Sequence, residues 1–585
     1  MPAAARTLLG LALTLALAAA IVPLVGELDD HVRVLILCIL AALVAVGRAL
    51  RPASGAATSV ALGTLIALAT VRYTGPWSTW FAGGAGVFGV LGLLAWRLGG
   101  RAVAMVAAVA LMIAMTQVPP GERLPKVHTW NQFHYVLGTK YFDEVGYDDL
   151  YVAALLADED GAHHFAGVSK LRDMHTYQSV SRADALERAR AEGLRARFTD
   201  ARWEEFQHDL DVFYPMFAKE TWPSLFTDLG YNPSPVWVVL HRPLLQAITL
   251  DRRAIGGLAA LQIPMYVGVV VAAVWAFGLR ATLWITLWNL LFFGSRGRLY
   301  GGYWSYDWLA LVVLSSVLVA KARPALAAVP VAIGGLMRGF GGLLAIGPAV
   351  HAVVGLVRAR RPDPWAVRFL VSLAGMMLIL AAVSMTTARG AGAWTDWIEK
   401  ITFHAARVST GGRHLGLQVL FGEDWSTPGH TADLDLRRTI YAGQAWAYHL
   451  VQAVLVGWTA LILPRRSRLD AALLGLIPAF ALMVLSRYYY AAWSVLLMLG
   501  TDERHREGRL PVQLGMLSVL ALHEGLFLVD GTTPDSRHQD VNVLLLCLAV
   551  GTLAVYTVRD LRAQAVGRPA GLADPSTEPG QAHTS

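Results

Sequence analysis

Residues 128–151 read HTWNQFHYVLGTKYFDEVGYDDLY and set four carboxylates, Asp143, Glu144, Asp148 and Asp149, among aromatic side chains. Carboxylates in such a stretch can act as a general base toward a hydroxyl or amine, or hold a metal-bound acceptor beside a reacting carbon. Asp143 and Asp148 do not share a helical face, and Gly146 predicts a break between them. The competing reading is plainer: solvated loop charges or helix caps, with aromatics of the kind that collect at membrane interfaces.

Other side chains could take part. His128 and His134 flank Asn131, and His163 adjoins His164, but no pair has the helical spacing of a histidine metal site. Arg338 stands in the apolar run VAIGGLMRGFGGLLAIG. An arginine at mid-membrane costs about 2.5–3.5 kcal/mol on insertion scales, so it predicts a partner, and a lipid phosphate would be one. A short re-entrant turn that wets the guanidinium is the alternative. Arg296, Arg298 and Arg487 lie near predicted outer helix ends, and with Arg338 they could bind a phosphate or diphosphate headgroup. A second polar stretch, TDWIEKITFHAARVSTGGRHLGLQVLF (395–421), carries His404, Arg407, Arg413 and His414, and could cover a site built on the first.

These residues must be positioned by a chain that is mostly apolar. It has 585 residues, 55% hydrophobic and 16% charged, where soluble domains carry roughly 25% charged residues. Apolar segments recur near 7–26, 31–50, 55–72, 78–97, 102–117, 256–278, 281–295, 305–322, 324–337, 339–357, 367–387, 443–463, 469–486, 488–501, 511–530 and 540–557. The expected fold is an all-α polytopic membrane protein of about 14–16 transmembrane helices, since each segment nears the length that crosses the hydrocarbon core. Continuously apolar runs exclude a barrel of alternating strands. The first segment reads as a membrane helix, its apolar run being long for a signal peptide and followed at once by another span. Cys38 and Cys547 sit in apolar runs and imply neither a disulfide framework nor a metal site.

The long polar insert, 118–255, interrupts this pattern. Short-loop arginines and lysines, including Arg97, Arg101, Arg280, Lys321, Arg358, Arg360, Arg361, Arg465, Arg466 and Arg468, fall on one side if the N-terminus is cytoplasmic. Both termini are then expected inside and the insert outside. The insert holds 15 Lys/Arg against 20 Asp/Glu, although the whole chain is +7. The basic excess therefore belongs to the inner face, where it sets topology and meets anionic lipid; no nucleic-acid partner is expected. Within the insert, 181–219 reads as one or two helices, with Thr199 or Asp200 capping the second. Pro233 and Pro235 make 231–237 a turn or an extended approach. The tail from Gly567 is small and polar, as disordered segments are.

The arrangement resembles GT-C-type membrane glycosyltransferases, which use polyprenyl-phosphate sugars as donors. FHYVLGTKYFDEVGYDDLY is similar to the tyrosine-rich stretch that follows an essential acidic residue in the first outer loop of some bacterial members. LMRGFGGLLAIGP resembles their arginine-bearing membrane segment, and KITFHAARVSTGGRHLGLQVLF and SRYYYAAW their later motifs. The resemblance covers roughly 102–560, with 102–117 as the first core helix, and divides the chain as follows. Residues 1–101 form a four-helix extension and 102–255 the first helix with a candidate catalytic loop. Membrane helices occupy 256–387, a second outer loop 388–442, further membrane helices 443–560 and a cytoplasmic tail 561–585. The position where the family's acid is expected, four before Tyr135, holds Asn131, so the acidic role would fall to Asp143 or a neighbour.

The resemblance implies a bacterial inner-membrane enzyme that transfers a sugar to a lipid, glycan or protein acceptor at the outer face. Asp143, Glu144, Asp148 or Asp149 would deprotonate or orient the acceptor. Arg338, helped by Arg487, Arg296 and Arg298, would hold the donor phosphate. Asn131, His134, Tyr135, His404 and Arg413 would line the site. A divalent cation, Mg or Mn, would be compatible with this chemistry without being required. Two other classes stay open. One is a transporter or flippase of a lipid-linked or small anionic substrate, for which Arg338 and His351 would be intramembrane contacts, although no inverted repeat is visible. The other is an assembly protein whose outer domain binds a partner.

Overall fold

Helix caps and an aromatic core build the polar insert. The computed structural model describes residues 127–292, 301–408, 414–423, 433–500 and 534–565. Ser181 accepts from the Asp184 N–H and opens the helix Arg182–Ala191. Thr199 accepts from the Arg202 N–H and opens Asp200–Phe213. Such hydroxyl caps satisfy backbone donors that a helix start leaves free, typically for about 1 kcal/mol. The 181–219 stretch is thus two helices, with Thr199 as the cap. Pro235 does not exclude helix: Ser234 caps at Trp237 N, and Pro235 takes the first helical position of Pro235–Gln246, where its missing N–H costs nothing. A short hairpin, Lys170–Arg172 antiparallel to Ser179–Ser181, was not expected.

Phe133 centres the insert's core. Its ring meets Phe213 at 5.8 Å, Trp222 at 5.6 Å and Phe226 at 6.4 Å, edge to face. Pairs of this geometry add about 0.5–1.5 kcal/mol each beyond the area they bury. The insert is therefore a packed domain with its own interior, not a solvated loop. Its hydrophobic cluster takes in Met337 and Ala332 from the apolar helix Pro324–Arg338, and Leu380 from Pro364–Ser384, so the domain is seated on the ends of those helices.

Among the described residues, four helices are long and apolar enough to cross a membrane: Arg252–Gly278, Phe340–Ala359, Pro364–Ser384 and Leu434–Arg465. They expose side chains such as Trp275, Val357, Leu378, Trp446 and Leu461, a pattern that lipid tolerates and water does not. Asp307–Ala320, Pro324–Arg338 and Leu545–Val558 are shorter apolar helices. The segments expected at 256–278 and 281–295 meet at Gly278, whose φ of 73° breaks the helix. The pair at 324–357 is a hairpin turned at Gly339, φ 75°. There Gly341 lies so near Gly334 that an added methyl would meet its carbonyl carbon at 3.0 Å.

Residues 469–501 do not form the two spans their hydropathy suggests. Helices Arg468–Leu474 and Pro478–Leu482 are followed by the strand Leu485–Ser486, paired with His414–Leu415, and a 3-10 segment Arg487–Met498. Most of it is buried, with 482–489 partly exposed. The break falls at Gly475, which abuts the Leu343 carbonyl, and at Pro478. These residues are apolar because they are enclosed by protein. Irregular backbone at such depth survives only where protein or a cavity surrounds it. The spans expected before residue 118 and at 511–530, and the polar tail, lie outside the described residues.

Candidate functional site

Arg338 ends the helix Pro324–Arg338 at the glycine turn, where the insert meets the apolar helices. About a tenth of its side chain is exposed. Its Nη1 donates to the Tyr135 hydroxyl at 2.9 Å. The guanidinium carbon lies 5.4 Å from the ring centres of both Tyr135 and Trp237, a setting that favours a cation. Tyr488 and Tyr489 come near enough to feel its charge, and Tyr489 packs on Trp308 and Phe340 at 5.2 Å each.

Its counter-charge is Asp307, the first residue of the helix Asp307–Ala320. Nη2 and Oδ1 are 3.8 Å apart, whereas a charge-assisted hydrogen bond closes to about 2.7–2.9 Å. Asp307 Oδ1 also accepts from the Trp308 N–H at 2.7 Å. Asp307 Oδ2 and Arg338 Nε are buried with no hydrogen-bond partner among the described residues. Polar groups this well buried are normally satisfied. The site thus offers one free N–H donor and one free carboxylate acceptor, on two side chains that approach to 3.8 Å.

His241 stacks on Trp237 at 3.9 Å, and its Nδ1 is 3.0 Å from the Tyr303 hydroxyl. Burial, then the nearby Arg338 charge, push its pKa down to about 3, so the ring is neutral near pH 7. Asn131 sits behind these groups, its Oδ1 accepting from the Tyr303 N–H at 2.9 Å and from Ser305 Oγ at 3.2 Å. Gln132 donates to the Gly301 and Ile255 carbonyls. Both amides therefore anchor the 301–305 loop, which carries Tyr303 and leads to Asp307.

The four sequence-level carboxylates are placed elsewhere, each in an ion pair. Asp143 pairs with Arg242 and accepts from the Ala388 N–H. Glu144 pairs with Arg202 at 2.8 Å. Asp148 pairs with Lys400 at 3.2 Å and Asp149 with Arg197 at 2.7 Å, and His175 lies 3.6 Å from both. Burial disfavours charge on Asp149, but bonds from His175 and Arg197 overcome it and hold the carboxyl below its ordinary range. The bond to Asp149 in turn raises His175. Burial lowers the pKa of Lys400, against the pull of Asp148. The helix Gly392–Val408 of the second polar stretch contacts the insert through Lys400 and through Trp397, which donates to the Asn232 carbonyl.

Of the residues expected to line a site, Tyr135 touches Arg338. His134 is buried, with Nδ1 at the Trp130 carbonyl and Nε2 at the Tyr151 hydroxyl, and burial keeps it neutral. Arg487 opens the segment that carries Tyr488 and Tyr489. His351 contacts the Leu463 carbonyl, away from Arg338. His404 lies on the helix Gly392–Val408, while Arg296, Arg298 and Arg413 fall outside the described residues. Among the described residues, no group of three His, Cys, Asp or Glu is placed to hold a metal ion. Sequence reasoning passed over Asp307, Trp237, His241 and Tyr303. Asp307 had a usable signal, an acid opening the apolar run WLALVVL. No family model, curated protein or solved structure matches the chain.

Proposed function

We propose that the chain is a GT-C-like membrane glycosyltransferase that moves a sugar from a polyprenyl-phosphate donor to a hydroxyl-bearing lipid, glycan or protein at the outer face of a bacterial inner membrane. One observation carries this reading. Arg338 is a buried cation at the turn of an apolar hairpin, with a free Nε–H and an ion pair too long to be a hydrogen bond. Such a group is suited to a phosphoryl oxygen arriving from the lipid side. As the glycosyl–phosphate bond breaks, negative charge grows on the phosphate, and a fixed guanidinium stabilises it without reorganising. The rings of Tyr135 and Trp237 lie against the cation, which suits an amphipathic headgroup. The acceptor proton needs a base. The loop carboxylates are the candidates, and their ion pairs would have to open for one to serve.

The test is transfer of labelled sugar from a polyprenyl-phosphate donor by the purified full-length protein in lipid nanodiscs, with and without a chelator. Transfer by the wild type, lost in Arg338→Ala and weakened in Arg338→Lys, supports the reading. Full transfer by Arg338→Ala removes Arg338 from it. Asp143→Ala, Glu144→Ala, Asp148→Ala and Asp149→Ala sort the acids. One observation favours a translocator of lipid-linked substrates instead: the broken, protein-enclosed segment 468–499, since transporters build their sites on discontinuous helices. Movement of donor across the bilayer without a glycosylated product would decide for that alternative.

A further inference from the structure

We propose that Asp307 reads the donor sugar, accepting a hydrogen bond from the hydroxyl on the carbon next to the anomeric carbon. The inference rests on the transferase reading above and adds to it a substrate feature. Arg338 Nε and Asp307 Oδ2 are buried atoms of opposite demand on side chains that approach to 3.8 Å at Nη2 and Oδ1, and neither is satisfied by the described residues. An ionised carboxylate can only accept, and a guanidinium can only donate. A ligand that carries an anionic oxygen and, close beside it, a hydroxyl completes both. In a glycosyl phosphate the ring hydroxyl nearest the phosphate is the one on the adjoining carbon.

Asp307 is not positioned to deprotonate an acceptor attacking from the far side. Its Oδ1 is 3.8 Å from the Arg338 Nη2, so it stands with the group that holds the leaving phosphate. A base that activates a nucleophile on the opposite face of the ring must stand across the reacting carbon from that group. Two features hold the carboxylate in place without using Oδ2. The Trp308 N–H donates to Oδ1, and Asp307 is in the first turn of its helix, where the helix dipole favours a negative charge. The Asn131 clamp fixes the 301–305 loop that leads into this turn. A hydrogen bond to this hydroxyl tightens as positive charge develops on the sugar, so the contact would affect rate as well as binding.

The test compares three probes on the full-length protein in nanodiscs: polyprenyl phosphate, a polyprenyl-phosphoryl hexose, and its 2-deoxy analogue. We expect wild type to prefer the hydroxylated donor over the 2-deoxy donor by roughly 10- to 100-fold, the scale of one hydrogen bond to a charged group. Asp307→Ala should erase that preference and leave binding of bare polyprenyl phosphate within about threefold of wild type. Arg338→Ala should weaken all three probes. A wild type indifferent to the 2-hydroxyl overturns the inference and needs no variant to fold. So does an Asp307→Ala protein that loses bare polyprenyl phosphate as severely as Arg338→Ala, for Asp307 would then serve only to hold Arg338. If the wild type binds none of the probes, the transferase reading itself falls; the other two outcomes leave it standing.

Discussion

Two of the buried charge clusters among the described residues differ, one being complete where the other is not. In the insert, Lys140 and Asp209 are both fully buried, 2.8 Å apart. Lys140 also meets Glu205 at 2.8 Å and the Ile248 carbonyl at 3.1 Å, and the Tyr141 hydroxyl donates to Asp209 at 2.7 Å. Arg202 closes the group, bonding Glu144, Glu205 and the Lys140 carbonyl while lying 4.3 Å over the Tyr141 ring. At the membrane-side cluster, Arg338 and Asp307 touch loosely and each keeps an open atom. The desolvation cost of buried charges is repaid only when their remaining hydrogen bonds are made. The saturated cluster therefore belongs to the architecture, and the unsaturated one is where we propose that a ligand binds.

The largest expected effect tests the first half of that contrast. Lys140→Met strands the Asp209 carboxylate in the interior and should cost about 3–5 kcal/mol, as removing one partner of a buried pair does. Denaturant unfolding of the purified protein, followed by the fluorescence of the insert's tryptophans, measures it; a loss under about 1 kcal/mol would mean the cluster is not structural. Next comes Arg338→Ala. Transfer should fall about 100- to 1,000-fold, the usual result of deleting one charge-stabilising donor, yet unfolding should shift much less than for Lys140→Met. Equal destabilisation by the two substitutions would erase the distinction between the clusters.

Lys400→Met is a smaller perturbation. It keeps the buried stem but removes the bonds to Asp148 and the Tyr147 carbonyl, for an expected loss of about 1–3 kcal/mol. Limited proteolysis should report faster cleavage around 392–408, and unchanged protection would show that the second stretch is held by its apolar contacts. The smallest effect is a pH dependence. His175 is half-exposed between Asp148 and Asp149, and its folded pKa is raised. Its contribution is complete below the ordinary histidine value near pH 6.5 and fades as pH rises through the raised one. Solvent screening keeps it under about 1 kcal/mol. A melting temperature that is flat from pH 6 to 8, or that responds equally in His175→Gln, would remove His175 as the source.

Arg338 was legible because a charge inside an apolar run demands explanation wherever it occurs. The Thr199 cap and the break at Gly146, which has φ 56°, could be read from local rules. Asp307 escaped because its pairing with a residue 31 positions later depends on how two apolar helices pack, which no local pattern encodes. The segment 469–501 misled for a related reason: hydropathy measures aversion to water and does not distinguish lipid from protein as the refuge. The loop acids drew attention by their density, but their partners Arg197, Arg202, Arg242 and Lys400 come from 48 to 252 residues away and are found only in the folded chain.

The amide at Asn131 has a consequence for the conditions under which the domain can work. It clamps the Tyr303 backbone and Ser305 with an acceptor that carries no proton to lose or gain. A carboxylic acid there would bond well when ionised and badly when protonated, so the loop would slacken in acid. With asparagine, the clamp on Tyr303 and Ser305 is itself indifferent to the acidity of its compartment, unlike the His175 contacts.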